Sequence, residues 1–247
     1  MGKLEGQVAL ITGAGTGIGR AAAMALAAEG AAVALAGRSK GTLDETAAAV
    51  RELPGIREDA VMVYQCDVVD LAAVQSMVSD LHARRGHIDI LVNNAGLNVP
   101  HRALSEVDPQ EWLTIVDVNL NGAYWCVHAL LPIMRAQGRG TMIHIGSNAS
   151  RRPSAIPGAA YTASKAGLWA LSAVINAEEK AHGIRSCVIM PGDTNTPILD
   201  RRPRPPSDSQ RITAIQPEDI AECILLVATL PDRATIEELA IMPTNQR

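Results

Sequence analysis

The sequence predicts an α/β fold: a doubly wound, mostly parallel seven-stranded sheet with helices on both faces. Two observations carry that expectation. Short Val/Ile/Leu-rich runs alternate along the chain with Ala-rich stretches, and a glycine-rich turn follows the first run. Apolar strands alternating with helices belong in a parallel sheet that is buried on both sides. Such sheets bind ligands at the carboxyl ends of their strands.

The elements follow in order. Val8-Ala9-Leu10-Ile11-Thr12 is apolar enough for a central strand, and the stretch 17–29 continues as an Ala-rich helix. Strands are next expected at 32–36, 61–65 and 88–92, separated by helices at 42–53 and 71–84. One long helix is expected over 109–135, then a strand at 141–145 and a helix at 159–181. A sixth strand at 185–190, a helix at 217–229 and a last strand at 236–241 complete the set. The run Arg201-Arg202-Pro203-Arg204-Pro205-Pro206 reads as an exposed loop after the sixth strand. Its three arginines are either a solvated surface or an anion attractor, as are Arg151 and Arg152.

At 247 residues and 47% hydrophobic content, the chain suits one large domain spanning 1–247. About 1–140 would bind a cofactor, and about 141–247 would carry catalysis and substrate binding. Aromatic residues make up 2% and Phe is absent, so the core must be aliphatic. That scarcity, with a net charge of −4, argues against a nucleic-acid partner. Cys66, Cys126, Cys187 and Cys223 are scattered through apolar runs and read as reduced residues of a cytoplasmic protein. The N-terminus has no apolar signal core, and no apolar run reaches the roughly 18 residues of a membrane span. The histidines show no metal-ligand spacing, so no metal is expected. His101, in the loop after Asn93–Gly96, is the one histidine positioned to reach a substrate.

Chemistry enters with Tyr161 and Lys165. They stand four residues apart in a helical stretch, with Ser147 fourteen positions upstream. Positions i and i+4 share a helix face, so phenol and ammonium are neighbours. A phenol titrates near about 10, and an adjacent positive charge favours the phenolate. A tyrosine tuned in this way can act as general acid and base on a carbonyl/alcohol pair. The plain alternative is a half-exposed Tyr beside a solvated Lys.

The turn Thr12-Gly13-Ala14-Gly15-Thr16-Gly17-Ile18-Gly19 has T-G-x-x-x-G-x-G spacing. Its glycines let backbone approach a pyrophosphate at the free N–H groups of the next helix. At the end of the second strand the chain reads Ala36-Gly37-Arg38-Ser39, with no acid to hold a ribose 2′-hydroxyl. Arg38, helped by Ser39, either forks onto a 2′-phosphate or stacks on adenine. NADP is therefore expected, with NAD as the other possible cofactor.

Further motifs occur in a fixed order: Cys66-Asp67-Val68, Asn93-Asn94-Ala95-Gly96, Val118-Asn119-Leu120, Ser147, Tyr161-x-x-x-Lys165, and Pro191-Gly192 followed by Thr194 and Thr196. Together with the glycine turn they resemble the short-chain dehydrogenase/reductase superfamily in its compact, Rossmann-like branch, over residues 5–196. The ending, 236–247, is closer to its NADP-using hydroxy-acid and serine dehydrogenases. The resemblance implies an NADP(H)-preferring oxidoreductase that interconverts a carbonyl and a secondary alcohol on a small molecule.

It also implies roles. Tyr161 would exchange the proton, and Lys165 would lower its pKa and hold the nicotinamide ribose. Ser147 would hydrogen-bond the reacting oxygen, and Asn119 would anchor a water of the proton relay. Gly13, Thr16, Gly17, Ile18 and Gly19 would meet the phosphates. Asp67 with Val68 would meet the adenine, and Asn94, Ala95 and Gly96 the adenosine ribose. Pro191, Gly192, Thr194 and Thr196 would cover the nicotinamide. Asp67 otherwise caps the next helix, Ser147 is otherwise a turn serine, and Asn119 is otherwise a kink residue. A tetramer or dimer built on the two long helices is implied as well. The other functions on this fold are a non-catalytic NADP-binding regulator and a nucleotide-sugar epimerase, for which the chain lacks room.

Overall fold

A computed structural model describes residues 2–244; Met1 and residues 245–247 lie outside the described residues, and with them the end of the tail. One sheet holds seven strands in the order β3-β2-β1-β4-β5-β6-β7. They are β1 (Val8–Thr12), β2 (Ala32–Gly37), β3 (Val61–Gln65), β4 (Ile90–Asn93), β5 (Gly140–Ile145), β6 (Ile184–Pro191) and β7 (Glu238–Ile241). Every pairing is parallel. The helices between them are α1 (Gly17–Ala28), α2 (Lys40–Arg51), α3 (Leu71–Arg85), α4 (Pro109–Val116), α5 (Gly122–Gln137), α6 (Ala159–Glu179), α7 (Asp208–Ile212) and α8 (Pro217–Ala228).

Strand alternation divides the core between the two faces. Ala9, Ile11, Val33, Leu35, Val92 and Ile143 point to one side, where α1, α2 and α8 cover them. Val8, Leu10, Ala34, Leu91 and Met142 point to the other, against α3, α5 and α6. The two-residue period of a strand dictates this, and small alanines let the helices settle close to the sheet. The order reverses at β1, which lies between β2 and β4, and opens a crevice at the carboxyl ends of the strands there.

The long helix expected over 109–135 is in fact two helices joined by a widened π turn, Asp117–Asn121. A π turn adds a residue to the helical circuit and shifts carbonyls out of the regular ladder. Asn119 occupies that turn and is fully buried. Short α7 was not expected from periodicity; a capping box of Ser207 and Gln210 starts it.

The four cysteines are free. Burial pushes the Cys126 thiol up to about 12, which leaves it unreactive. Among the described residues, no helix is long and apolar enough to cross a membrane.

Candidate active site

The glycine turn owes its shape to two positions. Gly13 adopts φ +62°, where a side chain is strained. A Cβ on Gly19 would stand 2.2 Å from the Gly13 carbonyl oxygen, so only glycine lets α1 start beneath the turn. No side chain caps the helix at Thr16, and its first N–H groups remain available to an anion.

Thr12 stitches the ends of β1 and β4 together. Its Oγ1 accepts from the N–H groups of Asn94 and Ala95, both at 3.0 Å. The Asn94 amide returns the bond to the carbonyls of Thr12 and Gly13 at 3.0 and 3.1 Å. Asn93 faces the opposite way. Its amide donates to the Ala123 carbonyl at 3.0 Å and lies 3.3 Å from Nδ1 of His144. His144 is fully buried and held neutral, its pKa driven down to about 3 by burial and then by Lys165.

Asn119 acts as a clamp. Its Oδ1 accepts from Leu97 N–H at 2.8 Å, while Nδ2 donates to the Leu97 carbonyl and to Ser164 Oγ at 3.0 and 3.1 Å. A Cβ on Gly96 would stand 3.4 Å from both Asn119 Oδ1 and Lys165 Nζ, so all three meet at one point.

Ser147 follows β5, and its Oγ accepts from the Ala149 N–H at 3.2 Å. Lys165, one turn beyond Tyr161 on α6, is 3% exposed and donates to the Ile145 carbonyl at 2.7 Å. Burial lowers its pKa to about 8. The Tyr161 phenol is raised by burial and pulled back by a hydrogen bond from Ser147 and by the charges of Arg102 and Arg202. The Lys165 ammonium sits 5.8 Å from the ring centre and is turned toward Ile145.

These parts line one cleft of about 450 Å³. Gly13, Thr16, Gly17 and Ile18 face it from the turn, with Arg38 from the end of β2. Asn94, Ala95 and Gly96 enter from the end of β4, and Ser147, Tyr161 and Lys165 from β5 and α6. Pro191, Gly192, Thr194 and Thr196 enter from the end of β6. Gly19, Ser39, Asp67, Val68 and Asn119 are not part of the wall. Gly19 and Asn119 shape it from behind. Ser39, Asp67 and Val68 stand just past the ends of β2 and β3. Asp67 does not cap α3; Asp70 does, accepting from Ala73 N–H at 3.1 Å.

His101 is exposed and outside the wall, whereas its neighbour Arg102 is buried and within it. Arg152, Arg201, Arg202 and Asp193 complete that side, with Arg202 forked onto Asp193. Arg204 lies outside it. No sequence pattern marks Arg102, because a loop has no periodicity. Among the described residues, no group of three His, Cys, Asp or Glu could hold a metal ion.

The cleft can take an extended ligand whose anionic end meets the turn and whose other end reaches Tyr161. The chain is similar to known proteins in sequence and fold. A family model described as short chain dehydrogenase matches residues 7–206. Sulfoacetaldehyde reductase 2 of Chromohalobacter salexigens is 34% identical over 246 residues, covering 97% of this chain and 95% of that protein. A metagenomic short-chain oxidoreductase crystallised with NADP superposes with a TM-score of 0.84 at 34% identity, over 99% of this chain and all of that one. Serine dehydrogenase from Escherichia coli superposes at 0.83 with 31% identity, over 98% of this chain and 100% of its own.

Proposed function

The chain belongs to the short-chain dehydrogenases, and from that premise we propose that it interconverts a carbonyl and a secondary alcohol on a small molecule, preferring NADP(H). The observation that carries this reading is the convergence of Ser147, Tyr161 and Lys165 on the cleft that the glycine turn opens. The cradle fits a dinucleotide: glycines where a Cβ would collide, uncapped N–H groups of α1, and Arg38 at the end of β2. The NADP complex of a relative with 34% identity supports the cofactor preference.

When bound, the nicotinamide supplies or accepts the hydride. Tyr161 gives its phenol proton to the carbonyl oxygen during reduction and recovers it during oxidation. Ser147 donates to the same oxygen and stabilises the charge that gathers there. Lys165 would hold the nicotinamide ribose hydroxyls, and its charge would favour the phenolate. Asn119 holds the loop 96–98 and Ser164 in place behind Lys165. Helices α4 to α6 also fit a homo-oligomer, since Leu113, Tyr124 and Val174 leave apolar surface exposed there.

Replacement of Tyr161 by Phe tests the reading. Turnover should fall by about 10²–10⁴-fold while NADPH binding is retained. Unchanged turnover in that variant would sink it. A protein that binds NADPH and reduces no member of a broad carbonyl panel would instead be a regulator.

A further inference from the structure

Among the described residues, Arg102 is a buried cation with no anion against it. It is 6% exposed. Its Nε donates to the Val99 carbonyl at 2.7 Å, Nη1 to Ile156 at 3.4 Å, and Nη2 to Arg201. All three partners are neutral carbonyls, and Nη1 and Nη2 each keep a further N–H. Among the described residues no carboxylate pairs with Arg102. A buried charge in that condition is ordinarily unfavourable, and proteins retain it where something answers it.

The surroundings sharpen the point. The chain as a whole carries a net charge of −4, yet Arg38, Arg102, Arg152, Lys165, Arg201 and Arg202 all line the cleft. Among the described residues of the wall, Asp193 is the one acid, and it is paired with Arg202. Arg38 stands at the end assigned to the dinucleotide. Arg102 and Arg202 stand at the other, close enough for both charges to act on the Tyr161 phenol. A cleft of one sign concentrates ligands of the other.

We propose that the substrate carries an oxyanion group, a carboxylate, sulfonate or phosphate, which Arg102 holds beside the Arg202–Asp193 pair while its carbonyl or alcohol carbon faces Tyr161. The proposal rests on the carbonyl/alcohol reading above and narrows it to acidic substrates. Arg102 is held on three sides by backbone, so its fork is presented in one orientation at little entropic cost. Ser147 and Tyr161 are then left free for the reacting oxygen.

The test is calorimetric titration of the NADPH-loaded protein with short 2- and 3-hydroxy acids, their neutral amides, and the sulfonate and phosphate analogues. NADPH with an alcohol gives a ternary complex that cannot react, so binding is read without turnover. At least one acid should bind about tenfold or more tightly than its amide, and the tightest of the three anions names the group. Arg202→Gln should reduce that preference to below about threefold with NADPH affinity unchanged. Arg102→Gln should do the same, and Arg102→Lys should restore part of it, which a purely structural clamp would not.

Equal or undetectable binding of acids and amides overturns the proposal. If neutral carbonyls are still reduced, the reductase reading survives that loss. Tight acid binding without NADPH oxidation by the matching oxo acid removes the reductase reading and keeps the anion site.

Discussion

The ammonium of Lys165 stands 5.8 Å from the centre of the Tyr161 ring and donates to the Ile145 carbonyl at 2.7 Å. The two share a helix face, as their spacing requires, yet the charge is spent on β5 rather than on the phenol. Burial raises the Tyr161 phenol, and Ser147, Arg102 and Arg202 pull it back down.

That balance predicts the titration of Tyr161. The tyrosinate absorbance of the protein, minus that of Tyr161→Phe, should emerge only above the ordinary phenol value of about 10 when no cofactor is present. Arg202→Gln removes one downward influence and should move the emergence further up. Ionisation of Tyr161 near neutral pH without cofactor would contradict the electrostatics described.

Lys165 predicts a stability that depends on pH. Its folded value of about 8 lies below the ordinary 10.5. Below pH 8 both states are protonated, and the folded state bears the cost of the buried charge. Between 8 and 10.5 the unfolded chain binds more protons, so stability rises with pH across that window. Lys165→Met should therefore stabilise the protein at pH 7 by up to about 3 kcal/mol, less the hydrogen bond to Ile145. Denaturant titrations should show the gap closing as pH approaches about 10.5; a gap constant with pH would refute the assignment.

Asn119→Ala should be costly even though Asn119 does not line the cleft. It leaves the Leu97 N–H and carbonyl and the Ser164 hydroxyl without this partner. A loss of about 2–4 kcal/mol in unfolding free energy is expected from such buried groups. A loss below about 0.5 kcal/mol in urea titration would mean that the clamp is dispensable.

Two glycine variants separate turn geometry from general tolerance. In Gly19→Ala the new carbon meets the Gly13 carbonyl oxygen, and NADPH affinity should fall at least about tenfold. In Gly41→Ala nothing lies within 4 Å of the new carbon. That helical change should stabilise α2 by about 0.5–1 kcal/mol, with NADPH binding intact. Fluorescence titration of NADPH with both variants makes the comparison; equal affinities would discard the cradle.

Arg38→Asp should exchange the cofactor preference. An acid at the end of β2 suits a 2′-hydroxyl and repels a 2′-phosphate. NADPH affinity should drop about 10–100-fold while NADH binding holds or improves. Parallel losses for both cofactors would show that Arg38 stacks on adenine instead.

The chain itself determined the sheet, the glycine turn and the Tyr161–Lys165 spacing. Strands such as Val8–Thr12 and Val61–Gln65 fall where the short apolar runs place them. These are local signals, because side-chain period and the turn chemistry of glycine act over a few residues. Asn119 reads locally as a kink residue, but whether the 109–135 helix breaks there depends on a partner, Leu97, in another segment. Tertiary structure alone decided the electrostatics of the cleft. It buried Arg102 rather than His101, forked Arg202 onto Asp193, and aimed Lys165 at Ile145. The physical reason is that charge acts through space and burial, while loops bring charges together along paths that no periodicity records.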